Sequence, residues 1–302
     1  MLHFGYPYNT VGARYACVPN IQIDRSMPVP ELSVLEASEM SQTIIDFDRL
    51  ERESDCFREI WQSASPFELL VIDGFGNSER MSNIHQNFPD ISVLKKSRDY
   101  IFAKEKYEKN NFSSLSVDLN DLHSEINSER FKIFLQKVTG IKLFIDPDFH
   151  GGGLHSGGIG SYLDMHADFN VHPLHSNWVR ELNILIYLNE GWHSGWGGQL
   201  KLRHSSTGLS REVEPLFNRC VVMLTKEHTL HGYDPIAFPP GRYRRSIAAY
   251  AYSEALEGDA PDARSTNWVS DQSIIRRALG PVTLQLVQLK NKIFGSGSTH
   301  NR

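Results

Sequence analysis

Three things are scarce in this chain of 302 residues: cysteine, long apolar runs and a surplus of basic residues. The cysteines Cys17, Cys56 and Cys220 are far apart and form no CxxC pair, which predicts reduced thiols and argues against a disulfide framework or a zinc knuckle. No apolar run approaches the roughly 20 residues of a membrane span, and no secretory signal is visible at the start. The sequence therefore predicts a cytoplasmic protein without a membrane span.

The charge balance also limits the partners. The formal net charge is −5 and the sequence pI is about 6.2, whereas nucleic-acid binders usually carry a basic surplus. We therefore expect no nucleic-acid partner, although net charge leaves a local basic patch open. Hydrophobic residues make up 40% of the chain and charged residues 22%, an ordinary globular composition with enough length for a large core.

The chain divides into three stretches. Residues 1–66 predict an irregular arm with helices that pack on the core, including a short helix at Pro30–Met40. Residues 67–255 begin with an apolar strand, Phe67–Asp73, and form the main domain. Residues 256–302 predict a polar loop, a helix from Val282 to Ile293 and a disordered tail. Within the main domain, helical periodicity predicts helices at Asn77–Phe88 and Asp121–Gly140.

From Ile141 to Ser253 the pattern changes to short β-rich runs separated by clusters of Gly, Pro, Asn and Asp. The predicted strands are Ile141–Ile145, Gly160–Asp168, Leu182–Leu188, Gln199–Arg203, Arg219–Leu224 and Arg244–Tyr252. Frequent turns without a long helix are typical of a β-sandwich or barrel. The fold class is therefore mainly β with flanking helices.

One pair of residues in the second of these strands has metal-binding character. His166 and Asp168 are separated by one residue, so a strand turns the imidazole and the carboxylate to the same face. A second histidine from a facing strand would complete a site of two histidines and one carboxylate, which suits non-haem Fe(II) and leaves coordination positions open. His231, which follows the strand Arg219–Leu224, is the candidate for that ligand.

A cluster of arginines precedes the last predicted strand. A dicarboxylate that binds iron through one end needs a cation at the other, and arginine pairs with carboxylates through two parallel charged hydrogen bonds. Arg244 stands at the head of this strand and is the candidate cation. Arg242 would share its face, so the choice between them stays open.

At this point the sequence resembles the prolyl-4-hydroxylase-like branch of the 2-oxoglutarate/Fe(II) dioxygenases. The resemblance extends from Phe67 to Tyr252 and rests on the order and spacing of several stretches: Gly151–His155, Leu163–Asn170, Arg180–Asn189, Gly195–Leu200, Phe217–Arg219, His231–Gly232 and Arg244–Ala248. It implies a double-stranded β-helix, a jelly-roll fold, for residues 67–255. It also implies that His166, Asp168 and His231 hold the iron.

The resemblance assigns the cosubstrate site as well. Arg244 matches the residue that holds the distal carboxylate of 2-oxoglutarate, and Tyr187 matches a position that often adds a hydrogen bond to it. Asn183 lies two strand periods before Tyr187 and so faces the same way. The cofactors expected from the family are Fe(II), 2-oxoglutarate and O₂, and L-ascorbate is implied as a further ligand.

These features predict an enzyme that hydroxylates an unactivated C–H bond and releases succinate and CO₂. Related halogenases lack the carboxylate ligand, so Asp168 favours hydroxylation over chlorination. The substrate class stays open among small molecules, saccharides and peptidyl residues, and the sequence does not predict the oligomeric state. Two alternatives remain: a β-sandwich sensor that binds metal or ligand without turnover, and a zinc hydrolase, which would give Arg244 no role.

Overall fold

The structure is a computed structural model that describes residues 43–97, 99, 101–256 and 258–269. The predicted helices at Pro30–Met40 and Val282–Ile293 and the predicted disordered tail lie outside these residues. Among the described helices, none has both the length and the apolar character needed to cross a bilayer.

Most of the described helices begin at a polar side chain that accepts a hydrogen bond from a backbone N–H of the first turn. The helices are α1 (Phe47–Arg52), α2 (Ser54–Ser63), α3 (Ser78–Gln86), α4 (Val117–Ile126) and α5 (Glu129–Thr139). The capping residues are Asp46, Asn77, Ser116 and Ser128. Short 3₁₀ turns occur at Ile91–Val93, Ser113–Leu115 and Ser194–Trp196.

The single helix predicted at Asp121–Gly140 is wrong, because two helices, α4 and α5, occupy this region. The break falls where the Ser128 hydroxyl accepts a hydrogen bond from the backbone N–H of Phe131, so that a new helix starts there. The predicted end at Gly140 is confirmed, since this residue adopts a φ of 74° and closes α5.

The strands outnumber the helices and carry the site. They are β1 (Leu69–Asp73), β2 (Lys95–Lys96), β3 (Ala103–Lys109), β4 (Phe144–Ile145), β5 (Gly153–Ala167), β6 (Trp178–Tyr187), β7 (Leu200–His204), β8 (Ser210–Val213), β9 (Arg219–Leu224), β10 (Thr229–Tyr233), β11 (Arg244–Glu254) and β12 (Asn267–Trp268). Hydrogen bonding joins most of them in the order β1-β9-β6-β11-β5-β10-β7-β8, with all pairs antiparallel.

Strand β5 belongs to both halves of this sheet. Its first residues pair with β11, as in Leu154 opposite Ile247, whereas its last residues pair with β10, as in His166 opposite His231. A glycine-rich bend at residues 157–160 separates the two halves, and Gly160 has a φ of 76°. The curled sheet is the predicted double-stranded β-helix, with β9, β6, β11 and the start of β5 facing the end of β5, β10, β7 and β8.

The side chains of β6 alternate between the two faces of the sheet: one set packs against the helices, and the other faces the interior of the curled sheet. Leu182, Ile184 and Ile186 belong to a core cluster that also contains Phe131 and Phe134 of helix α5. The intervening residues of β6 turn to the inside of the curled sheet. Because both faces of β6 are covered, the strand is nearly continuous in apolar residues, as the sequence shows.

Two local predictions need correction. Strand β5 is longer than the predicted Gly160–Asp168, and β3 was not predicted at all. Its residues, Ala-Lys-Glu-Lys-Tyr-Glu-Lys, are mostly charged and lack the alternation that marks a half-buried strand.

The prediction of three reduced thiols is wrong. Cys220 is a free, buried thiol whose pKa is raised by burial, but Cys56 is not free.

Candidate active site

The three predicted metal ligands lie together inside the curled sheet. His166 stands near the end of β5, Asp168 follows that strand, and His231 lies on β10 directly opposite His166. One ligand atom from each of the three residues lies within 4.8 Å of the others, and all three side chains are buried. The register between β5 and β10 thus produces the cluster that the His-x-Asp spacing predicted.

The donor atoms of this cluster fit an Fe(II) ion. Nδ1 of His166 lies 2.9 Å from the carbonyl oxygen of Asp164, which accepts its proton and leaves the Nε2 lone pair for a metal. The Nε2 atoms of His166 and His231 each lie 3.4 Å from an oxygen of Asp168. Burial and the neighbouring His166 lower the pKa of His231 to about 3, so this imidazole is neutral and able to coordinate.

Asp168 is held as a carboxylate by two neighbours on β6. Nδ2 of Asn183 donates to its Oδ2 at 2.8 Å, and Nη2 of Arg180 lies 3.1 Å from the same oxygen. Burial raises the pKa of Asp168, but the charge of Arg180 and the histidines outweigh it and hold the pKa well below its ordinary value. Asn183 therefore contacts the metal-site carboxylate, a different neighbour from the 2-oxoglutarate that the sequence predicted for it.

Arg180 itself is a site residue that the sequence reasoning missed. Its guanidinium is 1% exposed, donates to Oδ1 of Asn183 and lies between two rings, 4.5 Å from the Phe169 centroid and 3.5 Å from that of Tyr250. A buried arginine needs a carboxylate partner. The signal in the sequence was weak, because Arg180 stands two residues before the predicted strand Leu182–Leu188 and no short motif there predicts a buried arginine.

The structure separates the two candidate arginines. Arg244 is buried: its Nε donates to the carbonyl oxygen of Gly198 at 2.7 Å and its Nη2 donates to the hydroxyl of Tyr187 at 3.1 Å. The rings of Tyr187 and Tyr233 lie 4.9 and 4.5 Å from the guanidinium. Arg242 instead lies over the ring of Trp196, outside the site. Arg244 is therefore the arginine that faces the interior.

These residues surround one cavity of about 710 Å³. The metal cluster, Arg180 and Asn183 line one part of it, and Arg244 lines another. Its apolar lining includes Leu163, Leu185, Leu200, Phe169 and Trp268. A volume of this size is typical of sites for small organic ligands.

Trp268 was also missed, and it lies beyond residue 255, where the sequence placed the end of the domain. Its ring stacks on His166 with the centroids 4.7 Å apart, and it pairs through β12 with the end of β5. The ring of Phe102 also stacks on Trp268, with the ring centroids 5.3 Å apart. No periodic pattern in the sequence indicated that this short strand returns to the site.

Comparison with known proteins gives a family match for the part of the chain that contains the site. Residues 152–252 match the family model described as the 2OG-Fe(II) oxygenase superfamily. This segment contains all six residues that the sequence predicted for the site. A search of curated proteins gives no significant match.

Several solved structures are similar to this chain at low sequence identity. A prolyl hydroxylase from Trichoplax adhaerens, solved with a peptide of the hypoxia-inducible factor, is 16% identical, with 68% of this chain and 91% of that chain covered and a TM-score of 0.51. A prolyl-4-hydroxylase from Pseudomonas putida is 13% identical, with coverages of 66% and 99% and a TM-score of 0.46. HygX from Streptomyces hygroscopicus, solved with nickel, 2-oxoglutarate and hygromycin B, is 13% identical, with coverages of 62% and 83% and a TM-score of 0.43.

Proposed function

We propose, from the premise that residues 152–252 belong to the 2OG-Fe(II) oxygenase superfamily, that this protein hydroxylates an unactivated C–H bond of an organic substrate. The family uses Fe(II), 2-oxoglutarate and O₂, and the residues of this chain fit those requirements. The proposed reaction consumes 2-oxoglutarate and O₂ and yields the hydroxylated substrate, succinate and CO₂. The observation that carries the proposal is the buried cluster of His166, Asp168 and His231 in one cavity with Arg244.

In this proposal His166, Asp168 and His231 hold the iron through three adjacent positions. When bound, the iron and 2-oxoglutarate would activate O₂, which is the oxidant, and the protein supplies the position and the shielding. The two imidazoles and the single carboxylate would leave half of an octahedral shell to other ligands. A carboxylate at position 168 also favours hydroxylation over halogenation, which needs that position free.

Arg244 and Tyr187 would hold the distal carboxylate of 2-oxoglutarate. The Arg244 side chain is fixed by its hydrogen bond to Gly198, so little rotamer entropy is lost when a carboxylate binds. Its charged group is buried, which strengthens a hydrogen bond to an anion. The Tyr187 hydroxyl lies beside the guanidinium and can donate to the same anion.

Arg180 and Asn183 would act on the iron through Asp168. Asn183 donates to Oδ2 of this carboxylate and Arg180 forms an ion pair with the same oxygen, which leaves Oδ1 as the oxygen with more capacity for a metal. By fixing the carboxylate plane they would favour coordination through one oxygen. This arrangement supports a site that keeps positions open, as an oxygenase requires.

The experiment that tests this function follows the oxygen atoms. Metal-free protein receives Fe(II), 2-oxoglutarate and ¹⁸O₂, with trial substrates from each class, and succinate is analysed by mass spectrometry. We expect one ¹⁸O atom in succinate and its loss in His166→Ala. Labelled succinate from His166→Ala at the wild-type rate would contradict the assignment of the iron site.

The same metal-free protein distinguishes the oxygenase from two alternative functions, a sensor and a zinc hydrolase. A sensor would bind Fe(II) and 2-oxoglutarate without forming succinate. A zinc hydrolase would be active with Zn(II) alone and would not need Arg244, whereas a buried arginine that lines the same cavity as the metal cluster favours the oxygenase. L-ascorbate use, a cytoplasmic location and the choice among small-molecule, saccharide and peptidyl substrates stay predictions from the sequence.

A further inference from the structure

A second polar group lines the cavity outside the metal cluster and Arg244. It consists of Lys106 and Glu108 on β3 and His155 on β5, which we call the lateral cluster. Glu108 lies opposite His155 in the register between these strands, and Nζ of Lys106 lies 3.2 Å from Oε2 of Glu108. Nothing in the proposed handling of iron or 2-oxoglutarate uses these three side chains.

The backbone places this cluster toward the interior. Glu105 has a φ of 52°, and the register between β3 and β5 shifts there, so that Lys106 lies opposite Gly157. Gly157 also pairs with Arg244 on its other side, and an added Cβ would lie 2.5 Å from Oγ of Ser161. A larger residue at position 157 would therefore collide with Ser161, and glycine lets β5 pass between the strands that carry Lys106 and Arg244.

His155 presents a hydrogen-bond acceptor without a partner. Its Nε2 is buried and makes no hydrogen bond among the described residues, while the carbonyl oxygen of Gly151 lies against the ring and takes the proton of the other nitrogen. Burial and the charge of Lys106 lower the pKa of His155 to about 3, so the ring is neutral. A buried acceptor of this kind is satisfied when a ligand donates a hydrogen bond to it.

Lys106 and Glu108 are paired but keep capacity for a ligand. Their side chains are 24% and 37% exposed, so the pair lies at the rim of the cavity, where such an ion pair is weak. An ammonium has three donors and a carboxylate about four acceptor sites, and the pair uses one of each. Burial acts to lower the pKa of Lys106, but the charge of Glu108 and of two nearby tyrosines, Tyr250 and Tyr233, outweighs it. The pKa of Lys106 is therefore raised above its ordinary value, and the amine stays charged.

The other charges of the cavity are already assigned. Among the described residues that line it, the charged side chains are Lys106, Glu108, Asp168, Arg180 and Arg244. Arg180 pairs with Asp168, and Arg244 would take the distal carboxylate of 2-oxoglutarate. Only the lateral cluster is left to bind the substrate through charge, and it offers one cation beside one anion.

We propose that the lateral cluster binds the α-amino and α-carboxylate groups of a free amino acid, which is the substrate to be hydroxylated. The carboxylate pairs with Lys106, while the ammonium pairs with Glu108 and donates to Nε2 of His155. The four charges then alternate in a ring, and the amino-acid side chain extends toward the metal cluster along the apolar lining. This inference rests on the proposed function and adds its substrate class.

The chemistry distinguishes this class from the other two. A saccharide hydroxyl has no charge to match either Lys106 or Glu108. A residue inside a peptide has lost both charged groups to amide bonds. A free amino acid provides both, together with a donor for the buried acceptor on His155.

The test measures binding without turnover. Protein loaded with Ni(II) and 2-oxoglutarate is mixed with the twenty proteinogenic L-amino acids, and binding is detected by saturation-transfer NMR on the ligands. Each amino acid that binds is compared with its N-acetyl and carboxamide derivatives. The variants are Lys106→Gln and Glu108→Gln, and the matched control is Lys104→Gln, an exposed lysine on the same strand.

We expect at least one free amino acid to bind and both of its derivatives to fail. Lys106→Gln and Glu108→Gln should weaken that binding by about 10- to 100-fold, the effect of losing one charged hydrogen bond, while Lys104→Gln has no effect. Binding of 2-oxoglutarate, followed in the same samples, should be equal in all four proteins.

The contrary outcomes are distinct. If 2-oxoglutarate binds but no free amino acid does, or if Lys106→Gln binds the amino acid as well as the wild type, the inference is wrong and the proposed function is untouched. If the derivatives bind as well as the free amino acid, the inference is also wrong. If 2-oxoglutarate does not bind to the wild type, the proposed function fails and the inference with it.

Discussion

Nη2 of Arg180 lies 3.1 Å from Oδ2 of Asp168, and the same oxygen accepts a 2.8 Å hydrogen bond from Asn183. Arg180 and Asn183 are themselves joined, since the guanidinium donates to Oδ1 of Asn183. The carboxylate of the metal cluster is therefore fixed by a closed set of contacts on β6. A ligand that is fixed before the metal arrives loses less entropy on binding.

The Asn183 contact predicts an effect on metal affinity. Asn183→Ala removes the hydrogen bond to Oδ2 and leaves only the ion pair with Arg180, so the carboxylate rotates more freely and Fe(II) affinity should fall by about 10- to 100-fold. Anaerobic titration calorimetry measures it. Asn177→Ala is the control, because the side-chain amide of this half-buried asparagine donates to Glu254, outside the site. Equal Fe(II) affinity in Asn183→Ala and the control would show that the contact does not position the ligand.

The two candidate arginines, Arg242 before β11 and Arg244 at its start, predict a split between cosubstrate and metal binding. Arg244→Gln removes the buried charge and should weaken 2-oxoglutarate binding by about 100-fold or more while Fe(II) binding persists. Arg242→Gln, which alters an arginine over Trp196 outside the cavity, should behave as the wild type. The readout is the dissociation constant of 2-oxoglutarate in the presence of Fe(II). The reverse ranking of the two variants would assign the carboxylate to Arg242.

The lowered pKa of His155 predicts a pH dependence of stability. Its folded-state pKa of about 3 lies below the unfolded value of about 6.5, so the unfolded chain binds a proton that the folded chain refuses. The contribution is fully present above about pH 6.5 and is lost as the pH falls toward 3, at up to about 1.4 kcal/mol per pH unit. Urea unfolding at pH 7, 6 and 5 measures the free energy of unfolding.

The matched variant for this prediction is His155→Gln, which keeps a polar group but cannot titrate. As the pH falls from 6.5 to 5, its free energy of unfolding should decrease less steeply than that of the wild type. The two slopes should differ by up to about 1.4 kcal/mol per pH unit, the contribution of one proton. Parallel curves for the two proteins would mean that His155 gains its proton in the folded state as readily as in the unfolded chain.

Much of the site follows from local rules of sequence. Strand alternation predicts that His166 and Asp168 share a face, and the need for a cation predicts an arginine such as Arg244. The structure adds the register of β10 on β5, which sets His231 opposite His166. That register depends on packing across the curled sheet, which no short motif contains.

The parts that sequence could not predict are those that come from distant or atypical segments. Strand β3 is too charged to read as a strand, yet it carries Lys106 and Glu108 to the cavity because it pairs along β5. Trp268 reaches His166 through a strand of two residues, too short to leave a periodic pattern. Arg180 stands two residues before the predicted strand Leu182–Leu188, and only the fold shows that it is buried against Asp168.

The central claim is that His166, Asp168 and His231 hold an iron that also binds 2-oxoglutarate. The most direct measurement adds Fe(II) and then 2-oxoglutarate to metal-free protein without oxygen and records the visible spectrum. We expect a weak charge-transfer band that appears only with both Fe(II) and 2-oxoglutarate and is absent in Asp168→Ala and His231→Ala. A folded wild-type protein that shows no such band, or an Asp168→Ala variant that keeps it, would contradict the assignment of this iron site.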